Sequence, residues 1–170
     1  THCISSAASD VYKRQVYMFN GVQDLSIDSK GRLAIPAKFR EVLRSFAPST
    51  LCITLKSRTH LLIYPEKNWS AVRHELMALP TSGSRILQQF QQLVLGNMEK
   101  LEPDGAGRIL IPPRLRQLVE FAQDKEVVMV GRADRLEVWG KARWDEETRA
   151  ILDLDPALLE QELSNTGLRL

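Results

Sequence analysis

Apolar residues in this chain switch between two spacings, and the switch happens twice in the same order. Leu25-Ser-Ile27 predicts a short strand, Asp28-Ser-Lys-Gly31 a turn, and Arg32-Leu-Ala-Ile35 the returning strand of a hairpin. After Pro36 the period lengthens, because Phe39, Val42 and Leu43 stand three to four apart and form the buried stripe of a short helix. Proline suits the start of that helix, where its missing N–H would have no intrahelical partner. Strands at 51–56 and 61–64 close the unit. Downstream, Leu115, Leu118 and Val119 repeat the helical stripe after Pro112, and strands follow at 126–130 and 135–139. Between the units, Glu66 to Leu79 and Ser84 to Leu95 predict two connector helices separated by Pro80-Thr-Ser-Gly83. Trp69, Val72, Leu76 and Leu79 line one face of the first, and Ile86, Leu87, Phe90, Leu93 and Val94 that of the second. A third helix from about Lys141 to Ile151 and a short terminal one over Pro156 to Leu163 complete the pattern.

The repetition is one of sequence as well as of pattern. Asp28-Ser-Lys-Gly-Arg-Leu-Ala-Ile-Pro-Ala-Lys-Phe-Arg40 returns 76 residues later as Asp104-Gly-Ala-Gly-Arg-Ile-Leu-Ile-Pro-Pro-Arg-Leu-Arg116. Beyond the block, Leu51-Cys-Ile-Thr-Leu aligns with Glu126-Val-Val-Met-Val, Leu61-Leu-Ile-Tyr64 with Leu136-Glu-Val-Trp139, and Trp69 with Trp144. Two copies at this period do not make a solenoid, whose repeats run to roughly 20 to 50 residues. Each unit alone would be marginal, and its few short strands leave open edges and too little apolar burial for a stable isolated sheet. Interlocking of the two copies removes both defects. The reading is therefore one intertwined body made by residues 22–69 and 98–144, with the 66–95 helices packed outside.

Composition narrows the class. Hydrophobic content of 44% is ordinary for a globular chain, and no apolar stretch is long enough for a membrane span. Cys3 and Cys52 do not recur between the copies, so neither belongs to a duplicated disulfide or metal scaffold, and a reducing compartment is expected. Thr1 to Tyr17 lacks the apolar run and cleavage pattern of a secretory signal and has no equivalent before the second unit. It is expected to be a disordered extension, with Met18 the natural first residue. Charge is unevenly placed: residues 18–95 carry 10 Lys/Arg against 5 Asp/Glu, residues 96–144 carry 9 against 8, and the tail from 145 to 170 carries 2 against 7. A basic first unit suits a polyanion partner, and the acidic tail permits contact between subunits.

Catalytic chemistry finds little support. His2, His60 and His74 have no metal-ligand neighbours at helical or knuckle spacing, so neither a metal nor a cofactor is expected. Cys52 lies in an apolar run and reads as core, since no duplicated histidine or acid supports a nucleophile. Asp28 and Asp104, one per unit, suit turn organisation better than a paired acid and base, and Gly31 and Gly107 supply the positive φ of those turns. Lys30, Arg32 and Arg108 are the candidate DNA contacts. Lys38, Arg40, Arg114 and Arg116, nearer solvent on the helices, add phosphate or interface charge. Arg32 and Arg108 can either reach phosphate or guanine, or be occupied internally by Asp28 and Asp104.

The D-x-x-G-R-[LI]-x-I-P block in both copies, with Met18-Phe-Asn-Gly at the start and Gln88-Gln-Phe-Gln-Gln-Leu-Val-Leu-Gly96 in the connector, resembles the bacterial MraZ proteins, transcriptional regulators with two AbrB/SpoVT-like domains. The resemblance covers Met18 to about Leu170; residues 1–17 depart from it. It implies an α+β fold with a mainly β core, a duplicated AbrB-like swapped-hairpin barrel with connecting helices. The domains would be 22–69 and 98–144, joined by a helical connector at 70–97 and followed by the acidic helical tail at 145–170. It further implies a homo-oligomeric ring and sequence-specific binding of double-stranded promoter DNA at G-rich direct repeats. The outcome would be repression of the protein's own division and cell-wall gene cluster from a cytoplasmic, nucleoid-associated position. No enzyme activity, small-molecule substrate or membrane partner is implied. The family's D-x-x-x-R signature falls on Asp28 to Arg32 and on Asp104 to Arg108. Lys30 is replaced by Ala106 in the second copy, so the first hairpin is expected to bind DNA more strongly.

Overall fold

A computed structural model describes residues 18–46, 48–119 and 125–167 of the chain. The expected extension at 1–17, with His2 and Cys3, lies outside the described residues. In chain order the strands are β1 (Phe19–Ser26), β2 (Arg32–Ala34), β3 (Leu51–Leu55), β4 (His60–Pro65), β5 (Glu99–Leu101), β6 (Arg108–Leu110), β7 (Glu126–Ala133) and β8 (Arg135–Gly140). The helices are α1 (Ala37–Arg44), α2 (Glu66–Met77), α3 (Arg85–Gly96), α4 (Pro113–Leu118), α5 (Lys141–Leu152) and α6 (Pro156–Thr166).

All pairings are antiparallel, and they exchange strands between the two halves. A six-stranded sheet runs β1-β7-β8-β4-β3-β5, and a separate ribbon pairs β2 with β6. First-half β1 therefore pairs with second-half β7, and second-half β5 pairs with first-half β3. The two self-equivalent pairings, β2 with β6 and β4 with β8, relate the halves by an approximate two-fold axis. This is an α+β fold with swapped-hairpin-like antiparallel sheets and connecting helices.

The expected hairpin differs in its partner. Ile27 and Leu33 form only an isolated bridge, while β2 makes its ladder with β6. β1 also begins six residues earlier than the apolar alternation suggests, because its register from Phe19 opposite Ala133 to Ser26 opposite Glu126 is held by backbone pairing. Of its side chains only Phe19 is fully buried, so most of this edge strand carries no apolar signal.

The core lies between the ribbon and the inner face of the large sheet. Leu33, Ile35 and Phe39 from the first half meet Ile109, Ile111 and Leu115 from the second, together with Ile53, Leu61, Ile63, Met129 and Val138 from the sheet. Alternate residues face outward: Cys52, Leu62 and Tyr64 lie beneath α2 and α3 with Trp69, Leu76 and Val94, while Val128, Val130 and Trp139 pack near Trp144 of α5. β3 and β4 are consequently buried on both faces, which explains their nearly continuous apolar sequence. Buried Thr54 donates its hydroxyl hydrogen to the Val94 carbonyl at 2.6 Å, tying α3 to the sheet. Ser84 caps α3 by accepting from the Leu87 amide.

Because both halves share one core, unfolding should be a single cooperative transition. Ile109→Ala should cost about 2–5 kcal/mol, the usual range for emptying a fully buried aliphatic site. Urea denaturation followed by circular dichroism checks both expectations; two resolved transitions would contradict the shared core.

Candidate nucleic-acid interface

The two repeated turns are built in the same way. Asp28 Oδ1 accepts from the backbone amides of Lys30 and Arg32, each at 2.9 Å, and Oδ2 accepts from Arg32 Nε at 2.7 Å. Asp104 accepts from the amides of Ala106 and Arg108 at 2.9 Å and from Arg108 Nε at 2.8 Å. One carboxylate thus closes the turn and orients the arginine that leaves it. Gly31 and Gly107 take φ of +81° and +74°, where a side chain would be strained. The internal reading of the arginines holds for Nε, which each aspartate occupies, while the rest of each guanidinium makes no further hydrogen bond among the described residues.

Strand alternation puts the two arginines on one surface. In the ribbon Arg32 faces Leu110, Leu33 faces Ile109, and Ala34 faces Arg108. Leu33 and Ile109 point into the core, so Arg32, Ala34, Arg108 and Leu110 share the outer face. Arg32 and Arg108 are diagonal neighbours there, with about 7–8 Å expected between their Cα atoms. The exposed Leu110 beside them carries no local sequence signal; only the pairing of β2 with β6 places it on this face.

The remaining cations divide. Lys30 at the first turn and Arg114 on α4 are exposed. Lys38 is also exposed, with Nζ 4.7 Å from the Phe39 ring centroid in a cation–π contact. Arg40 and Arg116, expected nearer solvent, are half-buried against the opposite repeat's turn, with both Nε atoms buried and unbonded among the described residues. The helix that carries each begins where its strand has run past that turn.

Other titratable groups serve the body. Cys52 is a buried free thiol, pushed up in pKa by burial. His60 stacks on Trp139 at 4.0 Å between ring centroids, and burial pushes its imidazole down to about 4, so it is neutral at pH 7. Burial also works against the Glu137 carboxylate. It is nevertheless held below its usual pKa by the groups around it: His60 once its ring is protonated, the Trp139 indole N–H at 3.1 Å, Arg132 and Arg135. A groove of about 320 Å³ lies between β7 and α5 and one of about 350 Å³ between β1, β7 and α5, and neither is lined by Asp28 or Asp104. Among the described residues no cluster of His, Cys, Asp and Glu has the makings of a metal site, and no helix is long and apolar enough to cross a membrane.

The turn carboxylates titrate low. The Arg32 amide lowers the pKa of Asp28 against partial desolvation, helped by the Arg32 side chain and the Lys30 amide; Asp104 repeats this with Arg108 and Ala106. Their stabilising effect should therefore be fully present above the unfolded value near 3.8 and fade as pH falls through the lower folded values. Carboxyl-carbon NMR titration should give both midpoints below 3.8; values at or above it would show the turns open in solution.

Comparison with known proteins places this geometry in a family. The family model described as "MraZ protein, putative antitoxin-like" matches residues 18–86 and 94–156. The transcriptional regulator MraZ of Neisseria gonorrhoeae is 48% identical over 153 residues, covering 90% of this chain and 100% of that protein. Its counterpart in Chromobacterium violaceum is 51% identical over 148 residues, covering 87% and 98%, and that of Thiobacillus denitrificans is 36% identical over 146 residues, covering 86% and 97%. The matches span both copies of the turn and both strand exchanges, and the chain belongs to the MraZ family of transcriptional regulators, proteins of duplicated AbrB/SpoVT-like architecture that are regulators and not enzymes.

Proposed function

We propose that this protein is a sequence-specific DNA-binding regulator that reads promoter DNA with the outer face of the β2–β6 ribbon and its two turns. The observation that carries the reading is that Arg32 and Arg108 share this face, each oriented by its own aspartate. A two-stranded ribbon fits the major groove, and arginine is the side chain best suited to bidentate contact with guanine. G-rich direct repeats ahead of the protein's own division and cell-wall gene cluster are the proposed target, with repression as the outcome and nucleoid association as its consequence. Lys30 and the exposed Lys38 and Arg114 would add phosphate contacts. The first turn, with Lys30 where the second has Ala106, would contribute more.

Self-association into a ring accompanies this reading. Met77, Ile86 and Phe90 of the connector region are exposed at 65%, 78% and 36%, and Leu158 and Leu159 on the acidic tail are also exposed. Such apolar surface on a small chain suits burial against further copies. The same observation favours a second reading, a structural or protein-interaction ring without sequence-specific DNA binding.

Salt titrations against duplexes carrying G-rich direct repeats and scrambled duplexes separate the two. Loss of a base contact in Arg32→Ala or Arg108→Ala should cost about 1–3 kcal/mol on the repeat duplex alone. Loss of a phosphate contact should weaken both duplexes alike and lower the salt slope by about one. Arg32→Ala is expected to lose more than Arg108→Ala. Parent-like binding by both folded variants would leave the interaction ring as the better reading. Light scattering should give a mass that is a multiple of 19.3 kDa at micromolar protein; a mass of one chain would overturn the ring.

A further inference from the structure

We infer that Arg40 and Arg116 are positioning residues that work across the repeat: Arg116 backs the turn that presents Arg32, and Arg40 backs the turn that presents Arg108. This rests on the reading of the ribbon and turns as the DNA-binding surface. It assigns to the last residue of each repeated block a role different from direct contact with DNA.

The glycines give the geometry. A Cβ built on Gly31 would lie 2.5 Å from Arg116 Cζ and 2.6 and 2.8 Å from its two terminal nitrogens, so the guanidinium occupies the space a side chain would need. A Cβ on Gly107 would lie 2.4 Å from Arg40 Cδ and 2.9 Å from its Nη1. Both glycines are buried although they sit in surface turns, and these arginines are what cover them. The contact is extended by backbone: Ile111 N donates to Gly31 O at 3.0 Å and Ile35 N donates to Gly107 O at 2.9 Å, each from the opposite repeat. Arg40 Nη1 also reaches the Ala106 carbonyl at 3.5 Å.

Burial argues against direct DNA contact. Nε of both arginines is buried and has no hydrogen-bond partner among the described residues, and because each side chain lies over a turn glycine, swinging it outward to a phosphate would uncover that glycine. Topology supplies the reason for the crossing. Antiparallel pairing carries β6 past the first turn, so α4 starts there and delivers Arg116; β2 and α1 deliver Arg40 to the second turn in the same way. The crossing arginine is present in both copies, as Arg40 and Arg116.

A mutant cycle on the full-length chain tests the crossing, with the G-rich repeat duplex as probe. Arg116→Ala should weaken binding on the order of tenfold, as expected for an oriented charged contact that becomes loose. Arg32→Ala/Arg116→Ala should then bind about as weakly as Arg32→Ala alone, because both changes disable one turn. Arg108→Ala/Arg116→Ala should instead multiply the two losses. Arg40→Ala should show the reciprocal pattern. Amide NMR shifts should move at Lys30 to Arg32 in Arg116→Ala and at Ala106 to Arg108 in Arg40→Ala, which a general loss of stability would not sort in this way. Should an alanine variant fail to fold, Arg40→Lys and Arg116→Lys keep most of the side-chain length while removing the planar guanidinium, and they carry the same cycle. Multiplied losses in Arg32→Ala/Arg116→Ala, or shifts confined to the turn of the same repeat, would overturn the inference. If Arg32→Ala and Arg108→Ala bind like the parent, the DNA-binding reading fails, and the amide shifts alone decide whether the crossing arginines hold the turns.

Discussion

The structure depends on one short contact, the pairing of β2 with β6. Leu33 stands opposite Ile109 near the approximate two-fold axis, both fully buried. Neither half has an inner sheet of its own: β1 and β5 are each donated to the other half, and the β2–β6 ribbon closes over the core they share. A three-residue ladder contributes little by its hydrogen bonds alone. Its importance is that it fixes where Ile35, Phe39, Ile111 and Leu115 enter the core, and hence where both helices begin.

The same ladder creates the candidate interface. Two buried residues at its centre leave Arg32, Ala34, Arg108 and Leu110 on the opposite face, and the turns lie at the two ends. Local chemistry sets each turn, since Asp28 and Asp104 bond amides two and four residues ahead. Cross-repeat chemistry holds it in place, through Gly31 O and Gly107 O and the two crossing arginines. Core packing and presentation of the arginines are therefore mechanically joined. A change in the centre of the ribbon would be felt at both turns.

The outer face of the large sheet has a different logic. The first half is covered by α2 and α3, whereas the second has α5 in the equivalent place, with Trp139 and Trp144 in contact at 5.7 Å between ring centroids. Where the two halves meet, Glu137 lies opposite Leu62, a position at which the repeat has exchanged an apolar residue for an acid. Its burial at 2% exposure is offset by Arg132, Arg135 and the Trp139 indole. Duplication has thus preserved the inner core while allowing the outer faces to diverge.

Sequence by itself determined the units, their turns and their helical starts. Asp-x-x-Gly-Arg specifies a turn by short-range hydrogen bonding and a positive-φ glycine, and apolar residues three to four apart after Pro36 and Pro112 specify helices, so both are encoded within a few residues. The positions of Asp28, Arg32, Asp104 and Arg108 at the candidate site were legible for the same reason. Which strands pair was decided only in three dimensions. Nothing local in Phe19–Ser26 marks a long strand, because its order comes from backbone pairing with β7; Gly131 is required there since an added Cβ would sit 2.5 Å from the Asn20 amide nitrogen. Arg40 and Arg116 look like exposed helix charges until the opposite turn is placed against them, and Leu110 joins the ribbon surface only through β2. Spacing along the chain records contacts between near neighbours, whereas these positions are defined by partners roughly 70 to 110 residues away, brought close by the exchange of strands.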